Sequence, residues 1–97
     1  NGTFLDIIAT GAIGDAFADL NQPEEAEEFY AKAASMDAND FLTPLILSKA
    51  AIAAEINKDM KAALKYTQRI KKEFPASAES ANADALIAYY EAKISGQ

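Results

Sequence analysis

The chain contains neither cysteine nor histidine. Without thiols there are no disulfides and no thiolate metal sites, and such a chain suits the cytosol and the periplasm equally. Without imidazole, the commonest general base and the commonest transition-metal ligand are both missing. Tryptophan is absent and aromatics make up only 9% of the residues, so the core must be built from smaller side chains. No apolar run approaches the ~20 residues that cross a bilayer as a helix. Acidic residues outnumber basic ones by 15 to 9, and a net charge of −6 argues against nucleic-acid binding, which needs a basic surface. No signal-peptide pattern follows Asn1, the first residue, so we expect an excised or processed piece of a longer chain.

What is abundant is alanine, a strong helix former that lets helix backbones approach closely. Apolar residues recur at three- and four-residue steps and never alternate with period two, so the pattern predicts helices and no strands. The clearest helix lies in Lys58 to Pro75, where Met60, Ala63, Leu64, Thr67, Ile70 and Phe74 form one stripe and Phe74-Pro75 ends it. The stretch Asn21 to Ala38 repeats the plan, with a polar turn, Pro23 at the first helical position, and Ala26, Phe29, Tyr30 and Ala33 as the stripe.

Three more helices complete the reading. The first spans about residues 4–20, capped by Thr3 and Asp6, with Leu5, Ile8, Ala9, Ala12, Ile13, Ala16 and Phe17 as its stripe. Gly11 and Gly14 inside it each cost about 1 kcal/mol relative to alanine, which predicts a neighbouring helix crossing at close range. The third spans about residues 41–56, with Asn39, Asp40 or Thr43 as possible caps. Leu42, Leu45, Ile46, Ala53 and Ile56 form one row and Leu47, Ala50, Ala51 and Ala54 another, so this helix is expected to be central and the most buried. The fifth spans about residues 78–94, capped by Ser77, with Ala81, Ala85, Ala88, Tyr89 and Ala92 as its stripe. Short connections make consecutive helices antiparallel.

Enzymatic chemistry finds little footing. The carboxylates Glu24, Glu25, Glu27 and Glu28 crowd the start of the second helix, where its dipole favours them, and read as a solvated face rather than a metal site. No Gly-rich phosphate loop follows a strand, and Asn1-Gly2-Thr3 matches a glycosylation acceptor only formally. No catalytic, cofactor or metal residue is assigned. Charge is uneven along the chain. Residues 1–40 carry nine acidic groups and one basic, Lys32, whereas Lys58, Lys61, Lys65, Arg69, Lys71 and Lys72 line the fourth helix as a solvated face or a docking surface for an acidic partner or second copy.

These residues resemble the tetratricopeptide repeat, a helix-turn-helix unit of 34 residues. Ile13-Gly14-Asp15-Ala16-Phe17 is similar to that family's first-helix core, and Ala26, Tyr30 and Ala33 match its second-helix spacing. In the second unit Ala63 and Pro75 match the small residue and the closing proline, while Ala51, Ala54, Thr67 and Ile70 depart from the pattern. Ala26 and Ala63 lie 37 residues apart, and the extra residues are placed between Asp37 and Thr43. The resemblance implies one all-α, TPR-like α-solenoid domain over residues 1–97: units at about 4–38 and 41–75, and a terminal helix.

The resemblance also implies a job. The chain would be a noncatalytic scaffold binding a peptide or protein segment on its concave surface, lined by the first helix of each unit. Ile8, Asp15 and Asp19 would contribute from the first unit, together with Gly11 and Ala18. Ser48, Ile52 and Glu55 would contribute from the second, together with Leu45 and Ile56. Asp15 stands where the family's carboxylate clamp has asparagine, so that clamp is expected to be absent and the partner to carry basic and apolar residues. The alternative is a structural module stacking on neighbouring repeats or a second copy, to be favoured if Leu86, Tyr90 and Ile94 are exposed. The Lys58–Pro75 phrase is also similar to bacterial cell-envelope members of the family, which implies a periplasmic or membrane-anchored setting.

Overall fold

A computed structural model describes residues 3–96, so Asn1 and Gly2 of the formal glycosylation acceptor lie outside the described residues. The described chain is all-helical: α1 Phe4–Asp19, α2 Pro23–Ala34, α3 Leu42–Ile56, α4 Met60–Glu73, a short 3-10 turn Glu79–Asn82, and α5 Ala83–Ser95. Each helix packs chiefly on the next in chain order, and α1 also touches α3. The result is a slab of 39 × 31 × 18 Å, about two helix diameters thick.

The two hairpins, α1–α2 and α3–α4, share one turn at an offset of 37 residues. Asn21 and Lys58 both take left-handed backbone angles, with φ of 59° and 62°. Around them the hydrogen bonds repeat: the amides of Gln22 and Asp59 reach back to Phe17 and Ala54, and those of Asn21 and Lys58 to Ala18 and Glu55. This is the Schellman arrangement, in which one left-handed residue lets two amides cap the last helical carbonyls. The following helix then starts at Pro23 in one case and behind an Asp59 side-chain cap in the other.

The caps resolve alternatives the sequence leaves open. Thr3 and Asp6 form a reciprocal capping box on α1. Asn39 caps α3, its side chain accepting from the amides of Phe41 and Leu42, while Thr43 accepts from the amide of Asn39. The fifth helix departs from expectation and starts at Ala83 rather than Ala78. Ser77 donates to the Phe74 carbonyl and accepts from the Ser80 amide, so it caps the intervening 3-10 turn instead.

As expected, α3 is the most buried helix, contributing Ile46, Leu47, Ala50, Ala51, Ala53 and Ala54 to the interior. The main core joins Ile46, Leu47, Ala50 and Ala53 to Ile7, Tyr30, Ile70 and Phe74, and a smaller cluster packs Ala51, Ala54 and Ala63 around Tyr90. Gly14 meets its neighbour at the close range the sequence predicts. A Cβ there would lie 2.7 Å from the Tyr30 ring, and one at Gly11 would lie 3.3 Å from Ile46.

The expected stripes of the two outer helices are corrected. On α1 the buried residues are Ile7, Gly11 and Gly14, while Leu5, Ile8, Ala9, Ala12, Ile13 and Ala16 face outward and Phe17 is half-buried. On α5 the buried residues are Ala83 and Tyr90, while Ala85, Ala88, Tyr89 and Ala92 are exposed, as is Ala81 in the 3-10 turn before it. The reason is the same in both. A helix that is apolar on most sides fixes the period of its pattern but not which side faces in. On α1 the choice falls to the glycines, Gly14 making room for the Tyr30 ring and Gly11 for Ile46.

Candidate functional site

A cavity of about 480 Å³ opens between the hairpins on the α1–α3 side. Its apolar wall is α3, where Ile52 and Ile56 are 55% and 60% exposed, and Ala18 and Pro23 face them. Helical spacing explains the pairing: residues four apart share a face, so Ile52 and Ile56 stand one above the other.

The polar wall is a linked group of three. The Tyr30 hydroxyl donates to Asp15 Oδ1 at 2.6 Å, and Lys49 Nζ donates to Oδ1 and Oδ2 at 3.0 and 3.2 Å. Burial pushes the Asp15 carboxyl upward, but the Tyr30 hydroxyl and the Lys49 ammonium outweigh it, so it titrates below the ordinary carboxylate range. Burial and the same carboxylate hold the Tyr30 hydroxyl well above an ordinary phenol. The ion pair is half-exposed and adds little stability. Its effect is on the groove: the charge of Asp15 is already matched.

Glu55 is similarly engaged, accepting from the hydroxyls of Tyr89 and Tyr90, both at 3.1 Å. Asp19 differs. It lines the cavity and makes no hydrogen bond or ion pair among the described residues.

Of the six residues the sequence singles out, Asp15, Asp19 and Ile52 therefore surround one cavity. Ser48, Ile52 and Glu55 line a smaller hollow of about 170 Å³ between α3 and α5, so Ile52 forms the ridge between the two. Ile8 is exposed but lines neither. The sequence reading misses Lys49. Its signal was present: it is the sole basic residue of a mostly apolar helix whose only other charge is Glu55, and such a charge needs a partner.

Several polar residues read as surface are structural instead. Glu27 accepts from the Asn57 side chain at 2.9 Å and from the Tyr66 hydroxyl at 3.0 Å, bridging the two hairpins. Burial and then Glu27 push the Tyr66 hydroxyl up to about 12. Arg69 donates to the Ala34 carbonyl at the end of α2 and pairs with Glu73, while Lys71 pairs with Asp84. Lys61, Lys65 and Lys72 remain exposed on the side of α4 away from the core, and Lys58 is exposed in the turn before it. Among the described residues no group of three or more carboxylates is placed to hold a metal ion, and no helix is long and apolar enough to cross a membrane. Comparison with protein-family models, with curated proteins and with solved structures found no match for this chain.

Proposed function

We propose that this chain is a noncatalytic TPR-like interaction scaffold, and that the groove between α1 and α3 holds an extended peptide or protein segment. The observation that carries this reading is the open apolar wall of Ile52 and Ile56 beside a polar wall whose hydrogen bonds are satisfied within the chain. Such a surface gains by covering Ile52 and Ile56 and loses little, since no buried polar group must give up its partner. Asp19 adds a single unmatched charge, so the preferred segment is apolar with a lysine or arginine beside it. The experiment is site-specific photo-crosslinking in the source cell, with the reactive residue at Ile52 and, as control, at Lys61 on exposed α4. A discrete adduct from position 52 that Asp19→Lys weakens is the expected result. Equal labelling from both positions, or none from position 52, removes the groove from consideration.

A second reading, a module that stacks on a second copy, draws on the outer faces. Leu86 is exposed as that reading requires, but Tyr90 is buried and Ile94 half-buried. The support comes instead from α1, where Leu5, Ile13 and, at the C-cap, Leu20 are exposed on the acidic end of the chain. Like ends repel, with −8 over residues 1–40 against +2 over the remainder, so copies would associate head to tail. Sedimentation at rising concentration tests this: assembly that Ile13→Asp and added salt both reverse supports it, and a monomer throughout refutes it.

A further inference from the structure

A second opening, a cleft of about 560 Å³, lies between the start of α3 and the turn that follows α4. Its floor is apolar: Leu45, Phe74, Pro75 and the ring of Phe41, which at 87% exposed is the most open of the large apolar side chains. Its rim is acidic, with Asp40 and Glu79 making no hydrogen bond or ion pair among the described residues and Glu73 bound to Arg69. The cleft also sits at the C-terminal, negative end of α4, where Pro75 has no amide to offer the Lys71 carbonyl. An aromatic face, two free carboxylates and a helix C-terminus all favour one chemistry, a cation on an apolar stem.

The cleft and the groove are linked through the small hollow between α3 and α5. Ile52 is shared by the groove and the small α3–α5 hollow, and Glu79 is shared by that hollow and the cleft. Phe41 and Ile52 are eleven residues apart along α3, about 16 Å at the helical rise, a distance that about five residues of extended chain span. We propose that the Phe41 cleft is a second anchoring point for the segment held in the groove, and that it takes a lysine or arginine side chain about five residues from that segment's apolar anchor. This rests on the groove reading and adds to it a ligand register: apolar at Ile52 and Ile56, basic at Phe41.

The test uses fluorescein-labelled synthetic peptides carrying a leucine pair and, across a Gly-Ser spacer of varied length, one arginine on either side. Matched controls replace the arginine with glutamine or the leucines with serine. Anisotropy gives affinity, and amide chemical shifts give position. At the matching spacing the arginine peptide should bind about tenfold tighter than its glutamine control, and shifts should reach Phe41 and Glu79. Phe41→Ala, and separately Asp40→Asn with Glu79→Gln, should erase that advantage and leave the glutamine control unchanged. If leucine peptides bind at Ile52 but arginine confers nothing, or confers the same at every spacing, the cleft assignment fails and the groove stands. If no leucine peptide binds at Ile52, both fail.

Discussion

The two helix hairpins have matching turns and different interiors. Both turns place a left-handed residue, Asn21 or Lys58, at the same point and repeat the same backbone hydrogen bonds 37 residues apart. Between the helices the contents diverge. In the first hairpin Gly14 makes room for the buried Tyr30 ring; at the equivalent places in the second stand Ala51 and Thr67, both buried. A glycine opposite a large ring has given way to two side chains of similar, modest size. The Tyr30 hydroxyl reaches out to Asp15, whereas the Thr67 hydroxyl turns back to the Ala63 carbonyl of its own helix. The backbone thus repeats more faithfully than the side chains, because the turn fixes the crossing while any pair of suitable combined volume fills it.

Making the first interior resemble the second should give the largest effect. Tyr30→Thr removes most of a buried aromatic and its bond to Asp15, and should cost about 3–4 kcal/mol by chemical denaturation. Gly14→Ala alone should cost about 1–3 kcal/mol, since its Cβ would lie 2.7 Å from the ring. In the Tyr30→Thr background the same alanine should turn stabilising, by up to about 1 kcal/mol, because only the helix preference remains. Additive effects in this double-mutant cycle would show that the small-for-large exchange does not explain the difference.

Much of this architecture is legible in the sequence, and the part that is not has a clear cause. Pro23, Asp59 and Phe74-Pro75 mark helix ends by chemistry that is local, and the structure puts ends there. The amphipathic α2 and α4 turn inward the residues their stripes predict, Ala26, Tyr30 and Ala33 in one and Ala63, Thr67 and Ile70 in the other. On α1 and α5 the pattern names the wrong side, because both helices are apolar nearly all round. The groove is legible where one side chain suffices, as at Ile52. It is not legible where a contact joins distant positions, as Lys49 does with Asp15 or Tyr66 with Glu27, since nothing in either residue's neighbourhood names its partner.

A second contrast concerns how the hairpins are tied together. Tyr66 of α4 bonds Glu27 of α2, and Tyr90 of α5 bonds Glu55 of α3. Burial and then the facing carboxylate push each hydroxyl up to about 12. Their folded pKa lies above the ordinary value of 10, so the stabilisation is complete below pH 10 and lost as pH climbs toward 12. Thermal melts should therefore fall through that window, with tyrosinate absorbance from these groups arriving late. Tyr66→Phe should flatten the fall by removing one ionisation. Unchanged melting between pH 10 and 12 would mean that these bonds do not form in solution.

The smallest expected effect lies in the turns, where the two hairpins agree most closely. A left-handed backbone costs an ordinary side chain about 1–2 kcal/mol, because Cβ crowds the carbonyl. Asparagine bears this better than most residues, since its short polar side chain bonds locally, whereas lysine has no such relief. The Lys58 side chain is exposed and makes no hydrogen bond or ion pair among the described residues, so its replacement forfeits no contact of that kind. Glycine in its place relieves the crowding but loosens the unfolded chain, for a net gain of about 0.5–1 kcal/mol. The same exchange at Asn21 should leave stability within a few tenths of a kcal/mol. Thermal denaturation of Lys58→Gly and Asn21→Gly under one set of conditions makes the comparison directly. If Asn21→Gly gains as much as Lys58→Gly, the side chain at the left-handed position does not set the strain, and the two turns differ in some feature other than the residue that occupies them.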